Sequence, residues 1–236
     1  MVAVFNGFPK ECIPFLKDLR AHNERNWFNE NKGRYEESVR EPALVFIEAM
    51  GPKLTKVSPH FRAIPKKVGG SLMRVYRDVR FAKDKTPFKT NIGIQFRHEL
   101  GKDVHAPGFY LHIEPGECFL GVGVWRPESK QLQKIRDFIV DNPNAWKQAL
   151  AYRPFKSNFE LVGESLKRPP RGYPAEHELV EDLKRKDFIA LMPFDEALIY
   201  DKKFPDFVVK SYKQADLFMH YLCDAVEVNY RIELND

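Results

Sequence analysis

Two groups of residues in this 236-residue chain have the types and spacing to do chemistry. The first is RVYRDVRFAKDKTPFKTNIGIQF, Arg74 to Phe96, where Arg74, Arg77, Arg80, Lys83, Lys85 and Lys89 alternate with Tyr76, Phe81 and Phe88. Cations interleaved with aromatic rings suit a phosphate, or a stacked base together with its phosphate. The second is HIE, in which His112 and Glu114 stand two residues apart. In an extended strand both point to one face, an imidazole beside a carboxylate. Such a pair serves general acid–base catalysis, or joins Asp78 in a metal shell, or is a hydrogen-bonded structural pair. His112, Glu114 and Asp78 are the candidate catalytic residues, and no metal site is assigned.

The charge is regional. Residues 62–102 contain eleven Lys and Arg, Lys102 the last of them, against three acids (Asp78, Asp84 and Glu99). That region carries +8 of a whole-chain net charge of +5, so the remainder is −3. Charge placed this way speaks of partners rather than of fold. A second cationic stretch, LKRPPRGYP, holds Lys167, Arg168 and Arg171 on a proline-stiffened segment beside Tyr173. It is either a surface linker or a second wall of the same site.

These residues need elements to position them. Around residues 1–60 the apolar spacing is helical: Pro9 opens a helix through Leu16 and Leu19 that ends near His22-Asn23. A further helix follows, with Trp27, Phe28, Tyr35, Val39, Leu44, Ile47 and Met50 on it. Pro42 starts a new helix or kinks this one, and Gly51-Pro52 ends or bends it. From residue 70 to 126 the period falls to two. SLMRVYRDVR, TNIGIQFRH, GFYLHIEP and CFLGVGVW read as four strands of an antiparallel meander. Residues 127–236 read as helical again, with Asn142-Pro143 opening one helix. RPFKSNFELVGESLKRPPRGYPAEH reads as irregular, ELVEDLKRK as a short helix, DFIALMPF as a strand, and the last thirty residues as one amphipathic helix. The expectation is a single α+β domain over 1–236, an antiparallel sheet with helices on its apolar face.

Alternation splits the strands into two faces. Val75, Val79, Ile92, Ile94, Phe96, Leu111, Ile113, Leu120, Val122 and Val124 form the apolar one. The other carries Arg74, Tyr76, Asp78, Arg80, Asn91, Gly93, Gln95, Tyr110, His112, Glu114, Gly121, Gly123 and Trp125. A polar sheet face is often simply solvated. Three glycines within it suggest a floor with room above. The loop FAKDKTPFK is longer than a hairpin needs. The candidate ligand-binding residues are therefore Arg74, Tyr76, Arg77, Arg80, Lys83, Lys85, Lys89, Asn91, Trp125, Lys167, Arg168 and Arg171.

Several classes lack their motifs. No Walker phosphate loop, strand-to-helix dinucleotide fingerprint, nucleophile elbow or HExxH pair occurs, and no cofactor is indicated. Cys12, Cys118 and Cys223 lie far apart and are odd in number, which fits a reducing compartment and not a disulfide framework. The amino terminus lacks a leader-like pattern, and the longest apolar run, ALVFIEAM, is too short to cross a bilayer. A cytoplasmic protein without a membrane partner is the expectation.

RDVRFAKDKTPFKTNIG, GFYLHIEPGECFLGVGVWRP, LKRPPRGYP and the amino-terminal FLKDLRAHNERNWFNENKGRYE together resemble the signature segments of the domain-of-unknown-function family 2461. The resemblance covers most of the chain. It implies a single-domain, cytoplasmic protein, with Arg77, Asp78, Arg80, Phe81, Lys83, Lys85, Thr86, Pro87, Lys89, Thr90 and Asn91 in the family's central motif. His112, Glu114, Pro115, Gly116 and Trp125 fall in its second motif. It carries no catalytic role onto any of them.

Three functions fit these readings. The first is a pocket on the polar face for an anionic, phosphorylated small molecule, with acid–base chemistry by His112 and Glu114. The second is nucleic-acid binding through the 62–102 region. The third is a scaffold binding a protein partner through NERNWFNENKGRYEE, since adjacent Trp27 and Phe28 do not share one helix face.

Overall fold

Period-two alternation, where it survives tertiary packing, builds the sheet of this protein. A computed structural model describes residues 4–101 and 106–231; Lys102, counted in the basic region, lies outside them. Six strands pair antiparallel throughout: β1 (Phe61–Arg62), β2 (Ile92–His98), β3 (Gly108–Glu114), β4 (Glu117–Val124), β5 (Glu160–Val162) and β6 (Phe188–Pro193), in the order β1-β2-β3-β4-β6-β5. The fold is α+β, and β2, β3 and β4 form the expected meander. Both edge strands are short, which leaves little free backbone for another chain to pair with.

The apolar face is the expected one from β2 onward. Ile92, Ile94, Phe96, Leu111, Ile113, Leu120, Val122 and Val124 are buried in one cluster with the helices. Those helices are α1 (Cys12–Ala21), α2 (Arg25–Glu30), α3 (Lys32–Tyr35), α4 (Glu41–Leu54), α5 (Ser129–Asp141), α6 (Pro143–Ala151), α7 (Arg153–Asn158), α8 (Val180–Leu183), α9 (Phe204–Gln214) and α10 (Asp216–Ala225). Helices α9 and α10 lie on β4, and α4 packs on α9. The Tyr212 hydroxyl of α9 donates to the Tyr110 carbonyl at 2.9 Å, tying the helix layer to the central strand β3.

Four sequence expectations need correction. SLMRVYRDVR is not a strand. It makes only scattered bridges, Leu72 with Ile94 and Tyr76 with Phe88, and Val75 and Val79 are half-buried instead of core. Arg77 N–H donates to the Pro87 carbonyl, but proline has no N–H to return, so the ladder stops there. The carboxy-terminal helix is two, α9 and α10, broken at Ala215. Of the two expectations for Gly51-Pro52, an end or a bend, the end is excluded, since α4 continues to Leu54 with Pro52 inside it. The stretch expected to be irregular contains α7 and β5.

The glycines of the polar face do not leave room above them. A β-carbon on Gly93 would stand 2.8 Å from the Tyr110 hydroxyl and 3.0 Å from the Met73 sulfur. One on Gly121 would touch Leu191 and Tyr110 at 3.4 Å. Gly123 has φ +113°, and the Phe188 carbonyl crosses where its side chain would be. The tyrosine ring fills the space that the sequence suggested was open.

Pro42 does more than kink a helix. Residues Glu36–Arg40 form a π-helical turn in which Glu41 N–H reaches back to the Glu36 carbonyl. Pro42 has no N–H for the next bond of the ladder, so a widened turn at this point is consistent with its position in the first turn of α4.

Candidate functional site

The segment 67–76 forms an arch bonded to the edge of β2, Met73 N–H donating to the Gly93 carbonyl at 2.9 Å and Gln95 N–H to the Ser71 carbonyl at 2.8 Å, and it lines a cleft of about 580 Å³. Its walls include Lys67, Arg74, Val75 and Tyr76 from the arch, Gln95 and Arg97 from β2, Lys89 just before β2, and Tyr35 and Arg40 from the helical side. A turn at Gly69-Gly70 makes the arch possible. Gly69 has φ +70°, and a β-carbon on Gly70 would fall 2.5 Å from the Ile64 carbonyl.

Among the described residues five cations line this cleft and no carboxylate does. Two are neutralised from behind: Lys67 pairs with Glu41 at 2.6 Å and Arg40 with Glu36 at 2.5 Å. Arg40 sits at the end of the π-helical turn, 5.8 Å over the Tyr35 ring, and its Nε is buried without a hydrogen-bond partner. Arg74, Lys89 and Arg97 have no carboxylate partner among the described residues. Among the described residues the Arg97 guanidinium donates to the Gln95 side chain, at 3.1 Å. Burial, and then repulsion from Arg74, lowers the Lys89 ammonium pKa below its ordinary value. Burial pushes the Tyr35 hydroxyl up to about 12.

A smaller cleft of about 440 Å³ shares Lys89 and is lined further by Arg20, Asn23, Arg77, Asp84, Thr86, Phe88, Thr90 and Asn91. Three of its lining residues, Arg20, Thr90 and Asn91, contact the His112–Glu114 pair. Glu114 accepts from Thr90 Oγ1 at 2.7 Å, Arg20 Nη2 at 2.8 Å and His112 Nε2 at 3.1 Å. Burial raises the Glu114 pKa, but the bonds from Thr90, His112 and Arg20 outweigh it and hold the carboxyl below its ordinary value. With Nε2 donating to Glu114, His112 Nδ1 accepts from the Tyr110 hydroxyl at 3.1 Å and faces the Asn91 amide at 3.4 Å. Its ring stacks on Phe119 at 4.5 Å. Both imidazole nitrogens are engaged, and the Tyr110 hydroxyl is pushed up to about 12, chiefly by burial.

The remaining expected site residues go elsewhere. Asp78 does not join His112 and Glu114; it is exposed and holds Arg80 at 2.7 Å, and that hydrogen bond lowers its pKa to about 2. Arg77 binds Asp84 at 2.5 Å and the Thr86 hydroxyl, and Lys85 donates to the Val79 carbonyl at 3.0 Å. Arg77, Arg80 and Lys85 thus close their own loop. Lys83 is exposed and lines neither cleft. Trp125 is 63% exposed under the Arg126 guanidinium, away from both clefts. The Lys167, Arg168 and Arg171 segment is held near β5 and α5: Ser165 bridges Arg185, and Tyr173 donates to Asp137. It lies at the opposite edge of the sheet from β2, about 19 Å away at 4.8 Å per strand, so it is not a wall of the same cleft.

Of the twelve candidate ligand-binding residues, Arg74, Tyr76 and Lys89 line the larger cleft, and Arg77, Lys89 and Asn91 the smaller. Sequence reasoning missed Arg40, Lys67 and Arg97 as lining residues. Lys67 and Arg97 belong to the basic region; for Arg40 the available signal was Pro42. Trp27 and Phe28 both pack inward. Phe28 is buried and stacks on Phe88 at 4.2 Å, while Trp27 lies on Phe15 and His22. The motive for a partner surface there is gone. Among the described residues no three His, Cys, Asp or Glu side chains are grouped to hold a metal ion.

Comparison with curated proteins gave no match, and comparison with solved structures gave none. A family model, described as a conserved hypothetical protein, matches residues 11–221, which include both clefts and the whole sheet. The chain belongs to that family, DUF2461.

Proposed function

We propose that this protein binds an anionic, phosphorylated small molecule in the larger cleft, with Arg74, Lys89 and Arg97 as its principal contacts. The observation that carries this reading is the charge imbalance of the lining: five cations, no carboxylate, and three of the cations without a carboxylate partner among the described residues. Cations crowded along one cleft repel one another, and a phosphate relieves that repulsion while taking charge-assisted hydrogen bonds. Tyr35 and Tyr76 supply flat apolar walls for the organic part of the ligand. His112 and Glu114 serve here as a positioning pair, holding Thr90 and Asn91 beside Lys89. A cytoplasmic setting belongs to the same reading. It is supported by three free, buried cysteines and by the lack of any described helix long and apolar enough to cross a membrane.

Thermal melts test the proposal. A ligand at a hundred times its Kd adds about 2.7 kcal/mol, roughly 5–10 °C for a chain of this size. The expected result is such a shift with a small phosphorylated compound, retained at moderate salt and reduced about tenfold in affinity by Arg74→Ala. A shift seen only with DNA or RNA, and vanishing as salt rises, sinks this reading in favour of a nucleic-acid surface.

A further inference from the structure

We propose that Lys89 is an amine nucleophile toward the carbonyl group of a phosphorylated aldehyde or ketone seated in the larger cleft. The inference rests on the anion-binding reading above and adds a reaction to it.

Three observations set Lys89 apart from the other lysines of the basic region. First, its position is fixed: its backbone N–H donates to the Val75 carbonyl at 2.7 Å, and the preceding Phe88 is buried against Phe28. Second, Lys89 lines both clefts, so its side chain stands where the two cavities approach each other. Third, its ammonium has no hydrogen-bond or salt-bridge partner among the described residues, although the residue is only partly exposed. By contrast, Lys67 pairs with Glu41, Lys85 donates to the Val79 carbonyl, and Lys83 is exposed.

Only the neutral amine has a lone pair to offer, and a partly buried lysine beside another cation holds more of it near neutral pH. Burial and Arg74 both act in that direction on Lys89. With the phosphate held by Arg74 and Arg97, the carbonyl carbon of a short substrate comes within reach of Nζ. The amine lone pair forms the C–N bond. The carbonyl oxygen takes both amine hydrogens and leaves as water, giving a neutral imine without oxidation or reduction. That imine takes up one proton from solvent to become an iminium.

The test uses pyridoxal phosphate as a probe on the full chain at neutral pH, followed by borohydride reduction and peptide mass mapping. The expected outcome is a reduced adduct at Lys89 formed at least tenfold faster than at exposed lysines such as Lys83. It is slowed by inorganic phosphate, and slower again with pyridoxal, which has the carbonyl but no phosphate. Its rate rises at lower pH than that of the exposed lysines. Lys89→Arg, checked by its melt to be folded, loses the fast adduct, and no other lysine is labelled at a comparable rate in its place. Adducts spread evenly over the surface lysines overturn the proposal. If phosphate and pyridoxine phosphate both raise the melting point while Lys89 stays unlabelled, the nucleophile falls and the anion site stands. If no phosphate compound shifts the melt and pyridoxal labels Lys89 as fast as its phosphate does, the anion site falls, and this proposal with it.

Discussion

The two polar clusters of this protein lie a few residues apart and are built on opposite plans. Around Glu114 the groups answer one another: Thr90, Arg20 and His112 supply donors to the carboxylate, and Tyr110 and Asn91 complete the imidazole. On the larger-cleft side of Lys89, positive charge accumulates with no carboxylate among the described lining residues. A closed network stabilises the folded chain and has little left to offer a ligand. An open one costs stability and has its binding capacity unspent. Both contain residues that sequence reading marks as chemically capable. Partnership, more than residue type, separates the two.

That contrast predicts opposite responses to substitution. The largest effect on stability belongs to Glu114→Ala, which strands three donors and should cost about 2–3 kcal/mol, seen as a fall of roughly 4–12 °C in Tm. Gly93→Ala comes next. It drives a methyl group against the Tyr110 hydroxyl and Met73, at about 1–2 kcal/mol, with phosphate affinity the readout of whether the cleft wall moves too. Smallest is Lys89→Met, expected within about 0.5 kcal/mol of the parent or slightly above it in stability, while phosphate binding falls at least tenfold. If Glu114→Ala melts with the parent and Lys89→Met falls by several degrees, the comparison is reversed.

Acid titration sharpens it from another side. His98 is buried, its Nε2 donating to the Asn229 carbonyl at 2.8 Å and its Nδ1 accepting from Leu100 N–H at 3.2 Å. Burial lowers its pKa below the ordinary 6.5, with His60 and Arg62 acting in the same direction against Glu99 and the Asn229 bond. The unfolded chain therefore takes up a proton first, and stability declines as pH falls below about 6.5. Glu114, held below its ordinary value of 4.5, contributes stability that is present above that pH and lost as pH falls beneath it. Denaturant melts between pH 7 and 3 should show two stages, and Glu114→Gln should shrink the lower one, to which Glu99, Glu178, Glu227, Asp78 and Asp84, also held below their ordinary values, contribute as well.

Much of the sheet was legible because β2, β3 and β4 keep strict alternation and their turns carry glycine and proline. The helices at Ser129 and Pro143 announced themselves similarly. What failed had physical reasons. SLMRVYRDVR alternates as a strand does, yet Pro87 opposite it cannot donate, so the ladder frays into an arch. The break at Ala215 interrupts an amphipathic run that looks continuous. For the site, local sequence located the positive charge but could not say which cations were spent. Arg77, Arg80 and Lys85 look as available as Lys89 until Asp84, Asp78 and the Val79 carbonyl are seen holding them. Lys167, Arg168 and Arg171 failed because strand order, which local sequence does not display, puts them at the far edge.

The widened turn before Pro42 also sets how this chain tolerates changes in length. A helix advances about 100° per residue, so the extra residue in Glu36–Arg40 acts as an angular offset between α4 and everything before it. Deleting one residue there would turn Phe28 and Tyr35 by about that angle away from Phe88 and carry Arg40 off the cleft. The exposed loop around Phe81 has no such phase to keep and can gain or lose residues more freely. Length variation among related chains should therefore gather at that loop and stay away from the turn.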